Sequence, residues 1–381
     1  MTSNVWDAIV GQTEAVQQLK YAAAHPQALT HAWLIVGPPG SGRSTAARAF
    51  AATLECDSKT GCGKCDGCRM VLAGSHPDVK VIATDKVIIA RDEVKGLVAE
   101  AANKPTVGRY RIFLIEDADR MVQATGNVLL KAIEEPAEST IWLLCAPTGQ
   151  DVIPTIRSRC RIVRLKVPQV ADVTALLISE GVEPQTAAGA ALAAQAHIGV
   201  ARWLATDPQA LSRRRAVFTL VAAMRSVPAA VVQAAALVES AKAEATAATT
   251  ATDTREHGEL RTALGLTATE AIPAKLRAQF KELEEDQKRR GKRQERDVLQ
   301  RTCTDLLSLL RDVLVFQFGA EVAAVNGSSP DAASLTEQLA ARLTAADVLS
   351  RVDAVVTAQT RLAANVPPQL AMEAMLLALQ W

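Results

Sequence analysis

Five short apolar runs punctuate the first 167 residues: Ala32–Val36, Val79–Ala83, Arg111–Ile115, Ile141–Cys145 and Ile162–Leu165. Helical patterns fill the intervals. Arg43–Leu54 is helix-prone, and Val128, Leu129, Ala132 and Ile133 share one helical face before Pro136 stops the turn. Strands of this length, each separated from the next by a helix, join in parallel through crossovers. Residues 1–167 are therefore expected to form an α/β domain, a parallel sheet flanked by helices.

The texture changes at Val167–Pro168. Beyond it no convincing strand pattern appears, only Ala/Leu-rich helical ones. Residues 168–208 make a unit the size of three helices, closed by Asp207–Pro208. Residues 209–381 read as a longer all-helical region, with Leu306, Leu310, Val313 and Leu314 on one face. Two interruptions are expected within it, the small-residue run Ala241–Thr252 and the loop signal Asn326–Pro330. No internal repeat is found.

Composition agrees. Apolar residues are 49% of the 381 but aromatics only 3%, so the chain suits helices with close-packed faces better than a β-sandwich. A net charge of +1 gives no whole-chain field toward nucleic acid or membrane, and any such contact must be local. The opening MTSNVWDAIVGQ lacks a basic segment followed by an apolar core, and no apolar run approaches the length of a membrane span. The expectation is a cytoplasmic chain with reduced thiols and no membrane contact.

The first apolar run leads into Gly37, Pro38, Pro39, Gly40, Ser41, Gly42, Arg43 and Ser44, and then a helix. Strand, glycine-rich loop and helix in that order make a phosphate loop: glycines let backbone N–H groups point inward, and the helix N-terminus favours an anion. A Gly/Pro-rich turn without nucleotide is the plainer alternative. Arg43 stands where such loops carry a lysine, and a planar guanidinium does not reproduce a compact ammonium. Nucleotide (ATP or ADP) is expected to bind weakly and without hydrolysis, and Mg²⁺ only with it.

The third run ends in Glu116-Asp117. Adjacent carboxylates opposite a phosphate loop can hold Mg²⁺ and polarise water, in the usual order Asp then Glu. The reversed order displaces each carboxylate by roughly 1 Å, enough to cost on the order of 100-fold in a positioned reaction. A solvated acidic strand end is the alternative.

Cys56, Cys62, Cys65 and Cys68 crowd into thirteen residues, with Gly61, Gly63 and Gly67 supplying turns. Four thiolates close a tetrahedral structural zinc site with no open position. An iron–sulfur ligand run would continue with three residues and Cys-Pro, whereas Cys68 is followed by Arg-Met-Val-Leu. Unliganded thiols complete the alternatives. Farther on, Lys288–Arg293 follows acidic Glu282–Asp286; it reads as a solvated, helix-breaking loop, with contact to DNA or a partner as the alternative.

Taken in order, these features resemble the clamp-loader ATPase family of bacterial DNA polymerase III. The resemblance rests on Val10-Gly11-Gln12, the loop at 37–44, the four cysteines and the acidic strand end at 114–117. Asn127-Val-Leu-Leu-Lys-Ala-Ile-Glu-Glu-Pro136 and Thr155-Ile-Arg-Ser158-Arg159-Cys160 are its most specific parts. It spans about residues 5–205. Within the family, Arg43 and Glu116-Asp117 depart from the hydrolysing gamma/tau type and look like the delta-prime branch, a stator. Ala146-Pro147-Thr148 is an eroded form of the family's sensor after the fourth strand.

The resemblance implies an AAA+ P-loop domain over 1–167 with a zinc module at 56–68, a helical lid domain over 168–208 and an all-α collar over 209–381. It implies assembly with gamma/tau and delta subunits into a holoenzyme component that loads the sliding clamp onto primed DNA. Arg159 is implied as an arginine finger acting on a neighbour's ATP, with Arg157 two residues away also in reach. Arg202, in Gly199-Val-Ala-Arg202, resembles the lid-domain nucleotide sensor; a surface charge is the alternative.

Overall fold

The structure, a computed structural model, describes residues 4–82, 89, 91–222, 224, 226–267, 270–327 and 329–380. They divide into two compact units, Met1–Asp207 and Pro208–Trp381.

The first unit is built on a five-stranded sheet of β1 (Ala32–Val36), β2 (Val79–Ile82), β3 (Arg111–Ile115), β4 (Thr140–Ala146) and β5 (Arg161–Arg164), in the order β2-β3-β4-β1-β5. Every pairing is parallel. Ala83, expected to end the second strand, lies outside the described residues. Helices α1 (Thr13–Ala24), α2 (Arg43–Leu54), α3 (Asp66–Ala73), α4 (Arg91–Ala101), α5 (Gln123–Glu134) and the short α6 (Pro154–Arg157) accompany the strands.

Successive strand residues alternate between two cores. Trp33, Ile35, Ile112, Leu114 and Leu143 face α1 and α2, where the Trp33 ring meets Phe50 edge-on at 5.1 Å. Leu34, Phe113, Ile115, Trp142 and Leu144 face α4 and α5, with Phe113 and Trp142 stacked at 4.7 Å. Covering on both faces explains why β1 and β4 are apolar at nearly every position. It also brings the carboxyl ends of β1, β3 and β4 to one edge, where open α/β sheets bind ligands.

Helices α7 (Val170–Ser179), α8 (Pro184–Ala193) and α9 (Ile198–Thr206) complete the first unit. The Gln12 side chain fixes their entry by pairing with the backbone of Lys166: its Nε2 donates to the carbonyl at 2.7 Å and its Oε1 accepts from the N–H at 2.9 Å. Gly11 has φ +70°, and a Cβ there would lie 2.8 Å from the Asp172 carboxylate, so the Val10-Gly11-Gln12 motif is a backbone clasp.

The second unit holds α10 (Ala210–Ala222), α11 (Val227–Ala263), α12 (Arg277–Gln317), α13 (Pro330–Arg342), α14 (Ala345–Ala363) and α15 (Pro368–Ala378), and its described residues contain no strand. Leu306, Leu310 and Val313 sit in its core, as their spacing predicts. The loop signal at Asn326 falls between α12 and α13, where the buried Asp312 carboxylate accepts from the N–H groups of Val325 at 2.9 Å and Asn326 at 2.7 Å.

Two expectations are corrected here. Ala241–Thr252 does not interrupt a helix; it lies inside the 37 residues of α11. Alanine is the best helix former, Ala241 and Ala245 are buried at the packing face, and the hydroxyls of Thr246 and Thr250 donate to the carbonyls of Lys242 and Thr246 at 2.8 and 2.6 Å. Lys288–Arg293 is likewise not a loop but part of the 41-residue α12. There Arg290 pairs with Glu256 of α11 at 2.6 Å, and packing between the two helices overrides the local charge repulsion. No helix among the described residues is long and apolar enough to cross a membrane.

Candidate nucleotide, arginine and metal sites

The phosphate loop joins β1 to α2 at the carboxyl edge of the sheet. Gly40 and Gly42 take φ of +82° and +87°, which side-chain-bearing residues rarely adopt. A Cβ on Gly40 would lie 2.4 Å from the His197 ring, so helix α9 begins directly against the loop. His197 caps that helix, its Nδ1 accepting from the Val200 N–H at 3.2 Å. Burial lowers its pKa, and the nearby Arg43 charge acts in the same direction, so the ring is held neutral.

Arg43 turns back into the loop and donates to the Gly37 carbonyl. Glu116, at the end of β3, is held by Arg48 of α2, whose Nε and Nη2 reach the same carboxylate oxygen at 3.1 and 2.8 Å. Asp117 lies 3.8 Å from Arg120. Burial raises the pKa of the next acid, Asp119, and the Asp117 charge adds to the effect. Loop N–H groups remain suited to an anion, but the guanidinium is bonded across the loop and one strand-end carboxylate is neutralised. That is a poor setting for Mg²⁺-assisted water attack.

Each of the three arginines singled out by the sequence is engaged by groups of the first unit. Arg159 follows α6 and forms an ion pair with Glu134, at the end of α5, of 2.6 Å. Its Nη1 also donates to the Thr155 carbonyl at 2.9 Å and to the Ser158 hydroxyl at 3.2 Å. Arg157 donates to the Gly149 carbonyl at 3.3 Å. Arg202 grips both carboxylate oxygens of Glu180 at 2.8 and 2.5 Å, a contact inside the three-helix segment.

The four clustered cysteines converge. The sulfur atoms of Cys56, Cys62, Cys65 and Cys68 all lie within 4.8 Å of one another. A tetrahedral thiolate site with metal–sulfur bonds of about 2.3 Å has edges of about 3.8 Å, so the set fits a four-sulfur metal ion. Backbone N–H groups support the anionic form: Cys62 donates to Cys56 Sγ at 3.4 Å, and Lys64 and Cys65 donate to Cys62 Sγ at 3.5 and 3.4 Å. Burial alone would raise the Cys56 thiol, but the Ser58 hydroxyl and the Cys62 and Thr60 backbone lower it to about 5. Gly61 (φ +70°) packs where a Cβ would strike Thr53 and Val5, tying the module to α2 and the N-terminus.

Sequence reasoning did not find Glu55 and Asp78, two acids that organise this end of the sheet. Asp78 accepts from the N–H groups of Thr106, Val107 and Gly108 at 2.7, 2.7 and 2.8 Å. Glu55 accepts from those of Arg109 and Tyr110 at 2.8 and 3.0 Å. Arg109 in turn donates to the Cys56 carbonyl at 2.7 Å, linking the strand β3 approach to the thiol module. An acid buried among apolar neighbours is the only local signal they carry. Glu134 and Arg48 had none, since each acquires its role from a distant partner.

A parallel sheet with a phosphate loop after β1, acids at the end of β3 and a three-helix segment over the loop defines a P-loop domain of the AAA+ class. The comparisons narrow this: the chain is similar to the clamp-loader subunits of bacterial DNA polymerase III. Residues 11–169 match the family described as DNA polymerase III, delta subunit, and residues 295–380 the one described as DNA polymerase III, delta subunit, C terminal. The DNA polymerase III subunit delta' of Pseudomonas aeruginosa is 36% identical over 135 residues, 34% of this chain and 41% of that protein. That of Bacillus subtilis is 29% identical over 174 residues, 45% and 53% respectively. The gamma/tau subunit of Mycobacterium tuberculosis is 28% identical over 190 residues, 46% and 33%. The matched stretches thus span about half or less of each relative.

Proposed function

We propose that this chain is a delta'-like subunit of the DNA polymerase III clamp loader, a stator that joins gamma/tau and delta subunits in loading the sliding clamp onto primed DNA in the cytoplasm. The observation that carries the reading is the self-engaged phosphate loop, with Arg43 on the Gly37 carbonyl and Glu116 paired to Arg48. Any ATP or ADP is held weakly and is not hydrolysed, with Mg²⁺ only alongside it. Residues 168–208 act as the lid, 209–381 as the collar, and Arg202 as a lid residue on the nucleotide side.

Arg159 reaches a neighbouring subunit's ATP as an arginine finger, stabilising charge on the terminal phosphate. Zinc on Cys56, Cys62, Cys65 and Cys68 has a structural role, since four thiolates leave no position for substrate.

Co-purification with the other loader subunits, followed by ATPase assay of each subunit, tests the proposal. Stable assembly with hydrolysis absent from this chain is the expected result. A gamma/tau-type ATPase would instead turn over ATP alone, with stimulation by DNA.

A further inference from the structure

Helices α11 and α12 run alongside each other well beyond the helical core, and this paired arm is stapled internally. Phe280 is buried against the His257 ring at 5.2 Å, Arg290 holds Glu256, and Gln287 donates to the Asp253 carbonyl at 3.0 Å. Arg301 reaches Glu244 of α11 at 2.5 Å. These contacts settle which side of α12 faces its partner: the line through 280, 287, 290 and 301.

At about 100° per residue, the side turned away from α11 carries Lys288, Arg289, Lys292 and Arg296, with Arg293 on its flank. Lys288, Arg289 and Lys292 are exposed, and Arg293 and Arg296 half-buried. Of the acids nearby, Asp286 pairs with Arg289 and Asp297 with Arg293, Glu295 sits on the margin, and Glu285, on the same face, closes the row one turn before Lys288 and pairs with Lys281. Beyond Arg296 the same face enters the core at Leu299 and Cys303, both fully buried. The stripe is therefore bounded, about 12 Å long at roughly 1.5 Å per residue.

We infer that this outward face of α12 docks on the phosphate backbone of duplex nucleic acid. Cations four residues apart, Lys288, Lys292 and Arg296, form a straight rigid row that can follow successive phosphates. No apolar side chain stands among them to enter a lipid surface. The contact carries no sequence preference, because phosphates hold no base information. It goes beyond the stator reading, since the isolated chain should show it without any ring.

The test is fluorescence anisotropy of a duplex oligonucleotide titrated with the full chain between roughly 50 and 200 mM salt. Replacing Lys288, Lys292 and Arg296 by Gln should weaken binding at least tenfold at the low-salt end. It should also reduce the slope of log affinity against log salt by about 2.7, about 0.9 for each lost phosphate contact. Lys288→Gln with Lys292→Gln, confined to exposed positions, should remove about 1.8. Lys242→Gln with Arg255→Gln, on α11, should change neither quantity. The inference is overturned if the chain does not bind duplex, if the α12 variants keep the wild-type slope, or if the α11 pair has the same effect. It is also overturned if polyglutamate displaces the duplex at equal charge, which would indicate an acidic protein ligand. Loader assembly and ATPase are separate readouts, so failure here leaves the stator reading standing.

Discussion

The guanidinium of Arg159 lies 2.6 Å from the carboxylate of Glu134, joining the second residue after α6 to the last residue of α5. Both side chains are about two-fifths exposed, at 40% and 39%. An ion pair this open to water contributes only about 0–1 kcal/mol. The arginine is thus oriented within the chain, and breaking its pair with Glu134 costs little.

In the assembled loader, Arg159→Ala should lower ATP hydrolysis at least tenfold while leaving this chain's melting midpoint nearly unchanged. Arginine fingers isolated in GTPases contribute about 10³–10⁵, so a smaller loss from one site among several is expected. Arg159→Lys should rescue poorly, because ammonium lacks the fork. Wild-type loader activity in the alanine variant would transfer the role to Arg157.

Metal analysis should find about one zinc per chain, the content of a closed four-thiolate site. Cys62→Ser should drop it below about half an equivalent and lower the melting midpoint of the first unit, since metal binding to such a site is coupled to folding. Iron in place of zinc, or no metal at all, would remove the assignment.

Alone, the chain should turn over ATP more slowly than about 0.01 s⁻¹, against roughly 1–10³ s⁻¹ for ordinary enzymes. Arg43→Lys combined with Glu116→Asp and Asp117→Glu should raise the rate if those positions are the defect. Turnover of several per second by the wild-type protein would contradict the reading of the loop.

Stability of the first unit should fall on acidification below about pH 4, the ordinary range of an aspartate. Burial alone would raise the pKa of Asp78, but the N–H groups of Gly108, Val107 and Thr106 outweigh it and hold it below 3.8. A depressed carboxylate stabilises the fold above its unfolded value, and that contribution is lost as pH drops through the folded one. Asp78→Asn should destabilise by about 2–3 kcal/mol at pH 7, since the amide NH₂ replaces an acceptor of these bonds. Urea melts of both forms at neutral pH and near pH 3 measure the difference.

Much of the architecture follows from local pattern. The five strands could be placed because both faces of the sheet are covered, which forces short continuous apolar runs at Ala32–Val36 and Thr140–Ala146. The cysteine cluster was legible because its members are near neighbours in the chain. Periodicity misled where residues favourable to a helix looked like spacers, at Ala241–Thr252, and where charges looked like a loop, at Lys288–Arg293; both belong to helices whose packing decided the matter.

The sequence by itself determined the strand–helix alternation, the phosphate loop, the clustered thiols and the change to all-helical structure after Pro168, because each is written in residues close along the chain. Only the tertiary structure decided that Arg43 bonds Gly37, Arg48 takes Glu116, Arg159 rests on Glu134 and His197 sits on Gly40. The physical reason is that a side chain's partner is set by strand order and helix packing. Those bring residues 68 positions apart, such as Arg48 and Glu116, to 2.8 Å.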